Sequence, residues 1–95
     1  MMSAVIDGAV KALSGKISSF DGCAKFVVEG EGSLMIDQSG VRAGDDSADV
    51  TLTASRDTFE GILNGAVNPT MAYMTGKLKV DGSLPTAMKL SSALS

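Results

Sequence analysis

Ala48-Asp49-Val50-Thr51-Leu52-Thr53, followed closely by Ser55-Arg56-Asp57-Thr58-Phe59-Glu60, is the stretch from which the fold can be read. In the first six residues, apolar Val50 and Leu52 alternate with Thr51 and Thr53. A period of two predicts a strand with one covered face and one wet face. The period then changes. Phe59, Ile62, Leu63 and Ala66 recur at i, i+3, i+4 and i+7, the single apolar stripe of a surface helix. Ser55 suits the N-cap, with Asp57 and Glu60 near the positive end of the helix dipole. Asn64-Gly65 ends that helix. A half-wet strand that runs into a one-striped helix implies a sheet covered by helices on one side only.

Downstream, Asn68 caps a second short helix and Pro69 takes its first position. Met71 and Met74 share a face of it, and Gly76 stops it. Lys77-Leu78-Lys79-Val80-Asp81 alternates strictly and predicts another strand with one wet face. After Gly82, Ser83 caps a last helix that tolerates Pro85 in its first turn. Ala87, Leu90 and Leu94 form its stripe, with Leu84 and Met88 beside it. Upstream, Val5, Ile6, Ala9, Val10, Leu13 and Ile17 predict a helix over 2–17. Ala24 to Glu29 alternates with Phe26 and Val28 on one face, then turns at Gly30-Glu31-Gly32. Leu34 and Ile36 alternate with Ser33, Met35 and Asp37, and a short Val41-Arg42-Ala43 strand follows, so three strands form a meander. The fold class is therefore α+β: a five-stranded, mostly antiparallel sheet with helices covering one face. Lys25, Glu29, Thr51, Thr53, Lys77, Lys79 and Asp81 are expected to face water.

Ninety-five residues predict one domain over 1–95 with room for a single modest core. The hydrophobic fraction of 44% and charged fraction of 20% are those of a globular chain. The formal charge of −3, with 8 Lys and Arg, argues against nucleic acid as a partner and provides no polybasic run for anionic lipid. The absence of His removes the usual general base, and with it the common hydrolase triad. One Cys allows neither an internal disulfide nor a thiolate zinc cage, and Cys23 has no His or Lys neighbour in sequence to activate it. Asp45, Asp46 and Asp49 lack the Gly and distal Glu of a calcium loop and read as a solvated turn. Gly30-Glu31-Gly32 is a turn rather than a dinucleotide fingerprint. No apolar run is long enough to span a membrane, the start lacks a secretion signal, and the end is not a Ser-Lys-Leu address. The expectation is a cytoplasmic protein without cofactor or stable membrane insertion.

One set of motifs adds a family. Ala48-Asp49-Val50-Thr51-Leu52-Thr53, Phe59 in a helix, Asn68-Pro69, Met74-Thr75-Gly76-Lys77-Leu78-Lys79-Val80-Asp81-Gly82 and Ala87-Met88-Lys89-Leu90 occur in that order. The ordered set resembles the sterol carrier protein type 2 domain, and the hairpin over 24–40 resembles that family's first two strands. The resemblance implies a non-enzymatic lipid binder with an apolar tunnel between sheet and helices. Its ligands would be fatty acid, acyl-CoA, phospholipid or sterol. The short chain favours fatty acid or acyl-CoA over a four-ring sterol and suits a stand-alone bacterial member.

On that reading the lipid-lining candidates are Phe59, Ile62, Leu63, Met71 and Met74 on the two consecutive helices. Phe26, Val28, Leu52, Leu78 and Val80 would form the floor, and Leu84 and Met88 the mouth. Lys89 could reach an acyl carboxylate, whereas Lys77 and Lys79 belong to the wet face. The alternative is a filled-core module that docks onto a lipid- or quinone-metabolising enzyme. A monomer or weak dimer is expected in either case.

Overall fold

The structure, a computed structural model, describes residues 4–94. Residues 1–3 and 95 and the side chain of Leu94 lie outside it, so the expected helical start at Met2 and the last position of the final stripe fall outside the described residues. The chain runs α1 (Ala4–Lys16), β1 (Ala24–Val28), β2 (Gly32–Asp37), β3 (Gly40–Ala43), β4 (Val50–Ala54), α2 (Arg56–Leu63), α3 (Pro69–Met74), β5 (Leu78–Gly82) and α4 (Leu84–Leu94). This is α+β, with an open five-stranded sheet in the order β3-β2-β1-β4-β5. Only the central β1–β4 pair is parallel; its neighbours pair antiparallel.

The alternation decides which side of the sheet is covered. Ala24, Phe26 and Val28 of β1 are buried, and their partners on β4 are Val50, Leu52 and Ala54, buried as well. Leu34 and Ile36 continue this face on β2 and Leu78 on β5. Ile6, Ala9 and Leu13 of α1 pack onto it over β2 and β3, while α3 and α4 lie over β4 and β5. Phe59 and Ile62 carry the buried stripe of α2, and the Phe59 ring meets Phe26 at 4.6 Å between centroids, tilted by 54°. Ser55 caps α2 by accepting the Thr58 N–H at 3.2 Å. The Asn68 side chain caps α3 by accepting from Thr70 N at 2.8 Å and Met71 N at 3.2 Å, with Pro69 as the first helical residue.

The opposite face is less open than the alternation predicts. Met35 points there, yet it is fully buried. The cause is topological. β3 lies beside β2, β4 lies on the far side of β1, and the two strands run parallel, so their link must travel the length of the sheet. No helix makes this crossing; residues 44–49 do it as a strap. Ser33 Oγ donates to the Gly44 carbonyl at 2.6 Å, Lys25 Nζ pairs with Asp45 at 2.9 Å, and Asp49 N–H donates to the Cys23 carbonyl at 2.9 Å. The strap thus steps from β2 to β1 above the paired residues Met35 and Lys25. Lys25, expected in water, retains only 18% of its side-chain exposure.

One glycine is required by close approach. Gly82 has φ +113°, and a methyl group there would collide with the Asp49 carbonyl oxygen and the Cα of Val50. The bare backbone lets β5 end against the start of β4, where Ser83 N–H then donates to Asp49 O at 2.9 Å. That bond sets the origin of α4 and hence its position over the sheet.

Candidate functional site

The core is filled under α1 and α2 and hollow under α3 and α4. A cavity of about 410 Å³ lies between these last two helices and the β1-β4-β5 part of the sheet. Phe26, Leu52 and Val80 form one row of its floor, because Phe26 pairs with Leu52 and Leu52 with Val80 in adjacent strands. Leu78 lies one step along β5 on the same face. The roof is Pro69, Thr70, Tyr73 and Met74 of α3, with Leu84, Ala87, Met88, Ser91 and Ser92 of α4.

Residue size explains the hollow. The buried positions of α3 are Pro69 and Ala72, and α4 turns Ala87 toward the sheet. Small groups therefore face Leu52, Leu78 and Val80, and nothing fills the gap. Leu90 of α4 is buried in the core, but the large apolar residues of these helices that border the cavity stand at its edge. Met74 is 73% exposed, Met88 71%, Leu84 52% and Tyr73 48%, although all four border the cavity. Together they form an apolar rim.

The polar groups of the wall are hydroxyls. Thr70 Oγ1 and Ser91 Oγ are 3.3 Å apart and join α3 to α4 across the roof. Among the described residues, no charged side chain lines the wall. Lys89, considered for a carboxylate, instead reaches Asp21 at 3.5 Å. Lys77 and Lys79 are exposed and alternate with the wall residues Leu78 and Val80, which turns them away from the cavity. Among the described residues, no group of three or more His, Cys, Asp or Glu could hold a metal ion. No described helix is long and apolar enough to cross a membrane. A second depression, of about 370 Å³, lies where Ile6 of α1 meets the β1–β2 turn and the strap, and Glu31 and Asp45 are among its lining residues.

Seven sequence candidates border the main cavity: Phe26, Leu52, Met74, Leu78, Val80, Leu84 and Met88. Five do not. Val28, Phe59 and Ile62 are 1–2% exposed and lie in the packed core. Leu63 packs partly buried against that core. Met71 is 56% exposed on α3 and points clear of the wall. The reason is that α2 and α3 cover different halves of the sheet, so their stripes do not line one space. Pro69, Thr70, Tyr73, Ala87, Ser91 and Ser92 are wall residues that were not among those candidates, although Ala87 belongs to the apolar stripe of α4. A signal existed for α4: 84, 87, 88, 91 and 92 follow i, i+3, i+4, i+7 and i+8, but two of these five are Ser and interrupt the apolar stripe.

A one-sided α+β sheet with an apolar, charge-free cavity beneath two short helices defines a small cavity-forming domain. Residues 4–95 match the SCP-2 sterol transfer family, and the chain belongs to that family. It is 37% identical over 86 residues to hydroxysteroid dehydrogenase-like protein 2 of Xenopus laevis, a match that covers 82% of this chain and 21% of that protein. The chain thus spans about a fifth of that relative's length. Among solved structures it resembles sterol carrier protein 2 from Yarrowia lipolytica in its apo form, with TM-score 0.69, 27% identity, and coverage of 95% of this chain and 84% of that one. It also resembles sterol carrier protein 2 from Aedes aegypti, solved in complex with palmitate. There the TM-score is 0.76 and the identity 21%, with coverage of 99% and 97%; at that identity the likeness is one of fold.

Proposed function

We propose that the chain is a single lipid-binding domain that holds the apolar tail of a single-chain lipid, in the first instance a long-chain fatty acid or acyl-CoA, without catalysing a reaction on it. The observation that carries this reading is the 410 Å³ cavity with its uncharged wall. Its volume falls within the range of roughly 300–1,000 Å³ usual for small-molecule sites. The palmitate complex of the Aedes relative supports the choice of ligand. A C16 chain has about fifteen methylenes, each contributing about 0.8 kcal/mol, so burial offers on the order of 12 kcal/mol before the costs of association. The cytoplasm is the setting we propose, and fractionation of cells that produce the tagged chain tests it.

The experiment is thermal melting with palmitate. A ligand that binds only the folded state at a hundred times its Kd stabilises by about 2.7 kcal/mol. For a domain of this size that raises Tm by on the order of 10 °C. Native mass spectrometry of the same sample should show a bound mass that is lost on denaturation. An unchanged Tm and a bare mass would reject the reading in favour of the filled docking module. The dehydrogenase-like relative, which contains this region within a longer chain, supports a further role: presenting the lipid to an enzyme partner.

A further inference from the structure

We infer that β5 is a pairing edge, onto which a second copy of this chain adds its own β5 antiparallel, joining the two five-stranded sheets into one. β5 closes one side of the sheet, with β4 alone beside it. The direction of its backbone groups follows from the ladders. Glu29 N–H donates to the Ala54 carbonyl at 2.9 Å, so Ala54, and with it Leu52 and Val50, aims its backbone at β1. Thr51 and Thr53 therefore aim at β5, where their partners are Asp81 and Lys79. The bond from Ser83 N–H to Asp49 O keeps the same parity. The N–H and C=O groups of Leu78, Val80 and Gly82 are thus turned outward, on a strand that has no Pro and pairs with β4 in unbroken register. Edge groups of this kind are a template for another strand.

Charge selects the occupant. Lys79 and Asp81 are exposed on the wet face, and their cross-strand neighbours on β4 are Thr53 and Thr51. Among the described residues, neither makes an ion pair. A two-fold axis through Val80 sets Val80 against Val80, Leu78 against Gly82, and Lys79 against Asp81 of the second copy, the last pair twice. The parity fits. The outward residues 78, 80 and 82 fall into hydrogen-bonded pairs, and each Lys79–Asp81 pair falls where strands bring side chains closest. Opposite charges directly across a ladder attract. Leu78, the buried position of β5, meets in Gly82 a residue that brings no side chain against it. The same axis places the start of one β5 beside the end of the other. Exposed Met74 precedes that start and exposed Leu84 follows that end, so apolar side chains of both copies flank the seam.

A self-complementary edge gives a closed dimer rather than a fibre. The far edge does not compete, since Arg42 of β3 is already paired with Asp37 at 2.7 Å. A seam of one short strand is small, so the dimer is weak and reversible. Leu78 and Val80 also floor the cavity, so the two cavities lie side by side over one continuous sheet.

The test is sedimentation equilibrium of the full chain across a concentration series, without lipid. The wild type should pass from monomer to dimer and stop there, and the dimer should weaken as salt is raised. Lys79→Asp and Asp81→Lys each set like charges opposite one another twice per dimer and should weaken dimerisation about tenfold or more. Both side chains are exposed and off the cavity wall, so the dilute variants should melt as the wild type does. The double variant should return to within about twofold of the wild type. An equimolar mixture of the two single variants should form a mixed dimer, because each supplies the charge the other lacks. In a mixed-label NMR sample, the Hα protons of Lys79 and of Asp81 of the second copy should give a cross-peak, since the Cα atoms of such a pair are about 4.5 Å apart. A wild type that stays monomeric at every concentration, single variants that dimerise as well as the wild type, a mixture that stays monomeric, or assembly beyond the dimer would each overturn the inference.

Discussion

Ala87→Leu separates a hollow domain from a filled one. Ala87 is 7% exposed on α4, and it borders the cavity together with Leu52, Leu78 and Val80. Leucine adds three carbons. In a filled core they would force neighbours off their rotamers and cost about 1–3 kcal/mol. Here they enter space the wild type leaves open. If each added carbon counts as one methylene moved from water into an apolar site, at about 0.8 kcal/mol, the gain approaches about 2.4 kcal/mol. In a chain of this length that raises Tm by on the order of 10 °C. The same three carbons displace about three methylenes of a bound acyl tail, so palmitate affinity should fall by about 2.4 kcal/mol, a factor of roughly 60. The control is Ala9→Leu. Ala9 is 1% exposed between α1 and the sheet, away from the cavity, and there the overpacking penalty applies. The assay is urea and thermal unfolding of both apo-variants, followed by titration with palmitate. A lower Tm for Ala87→Leu, similar to that of Ala9→Leu, would refute the reasoning, as would an unchanged palmitate Kd.

Phe59→Ala should destabilise by about 3–5 kcal/mol in urea unfolding, because the ring is fully buried against Phe26; a loss below about 1 kcal/mol would mean that the half under α2 is also loosely packed. Gly82→Ala should lower stability by at least about 1–3 kcal/mol, through the strain of its positive φ and the collision with Asp49 and Val50. A wild-type Tm would show that β5 can shift away from β4. The Arg42 guanidinium donates to Asp37 at 2.7 Å and, with the Ser39 N–H, holds that carboxyl below its ordinary range. A depressed carboxylate pKa stabilises the fold above the unfolded value, and that contribution disappears as pH falls through the folded value. Arg42→Gln should therefore melt below the wild type at neutral pH, with the difference vanishing as the pH falls through the lowered value of Asp37; a difference that persists at the acid end would trace the effect to packing instead.

The elements were legible because each carries its own period and punctuation. Val50 and Leu52 against Thr51 and Thr53 could only be a half-covered strand, and Asn68-Pro69 could only begin a helix. The motifs over 48–90 carried the family by their order, since each is short and weak alone. The strap was not legible. Asp45-Asp46-Ser47 read as a polar loop with a strand following from Ala48, and nothing local says that residues 44–49 must cross a sheet face and bury Met35. That follows from β3 and β4 lying on opposite sides of the β1–β2 pair, which is a fact of pairing rather than of sequence.

The site divides along the same line. Sequence by itself determined which residues are apolar, which helix or strand holds them and which face they share, because these depend on neighbours two positions away in a strand and three or four away in a helix. It therefore placed Leu52, Leu78 and Val80 on the covered face of the sheet. It could not assign that face to a filled half and a hollow half. Phe59 and Ile62 carry the stronger helical stripe, yet α2 seats them on Phe26 and the core, whereas α3 and α4 present Pro69, Ala72 and Ala87 inward and turn Met74 and Met88 to the edge. A cavity is volume that no side chain claims. It exists only once α3 and α4 are held over β4 and β5 by contacts remote in sequence, such as Ser83 to Asp49 and Thr70 to Ser91. Tertiary structure alone decided where this chain is empty.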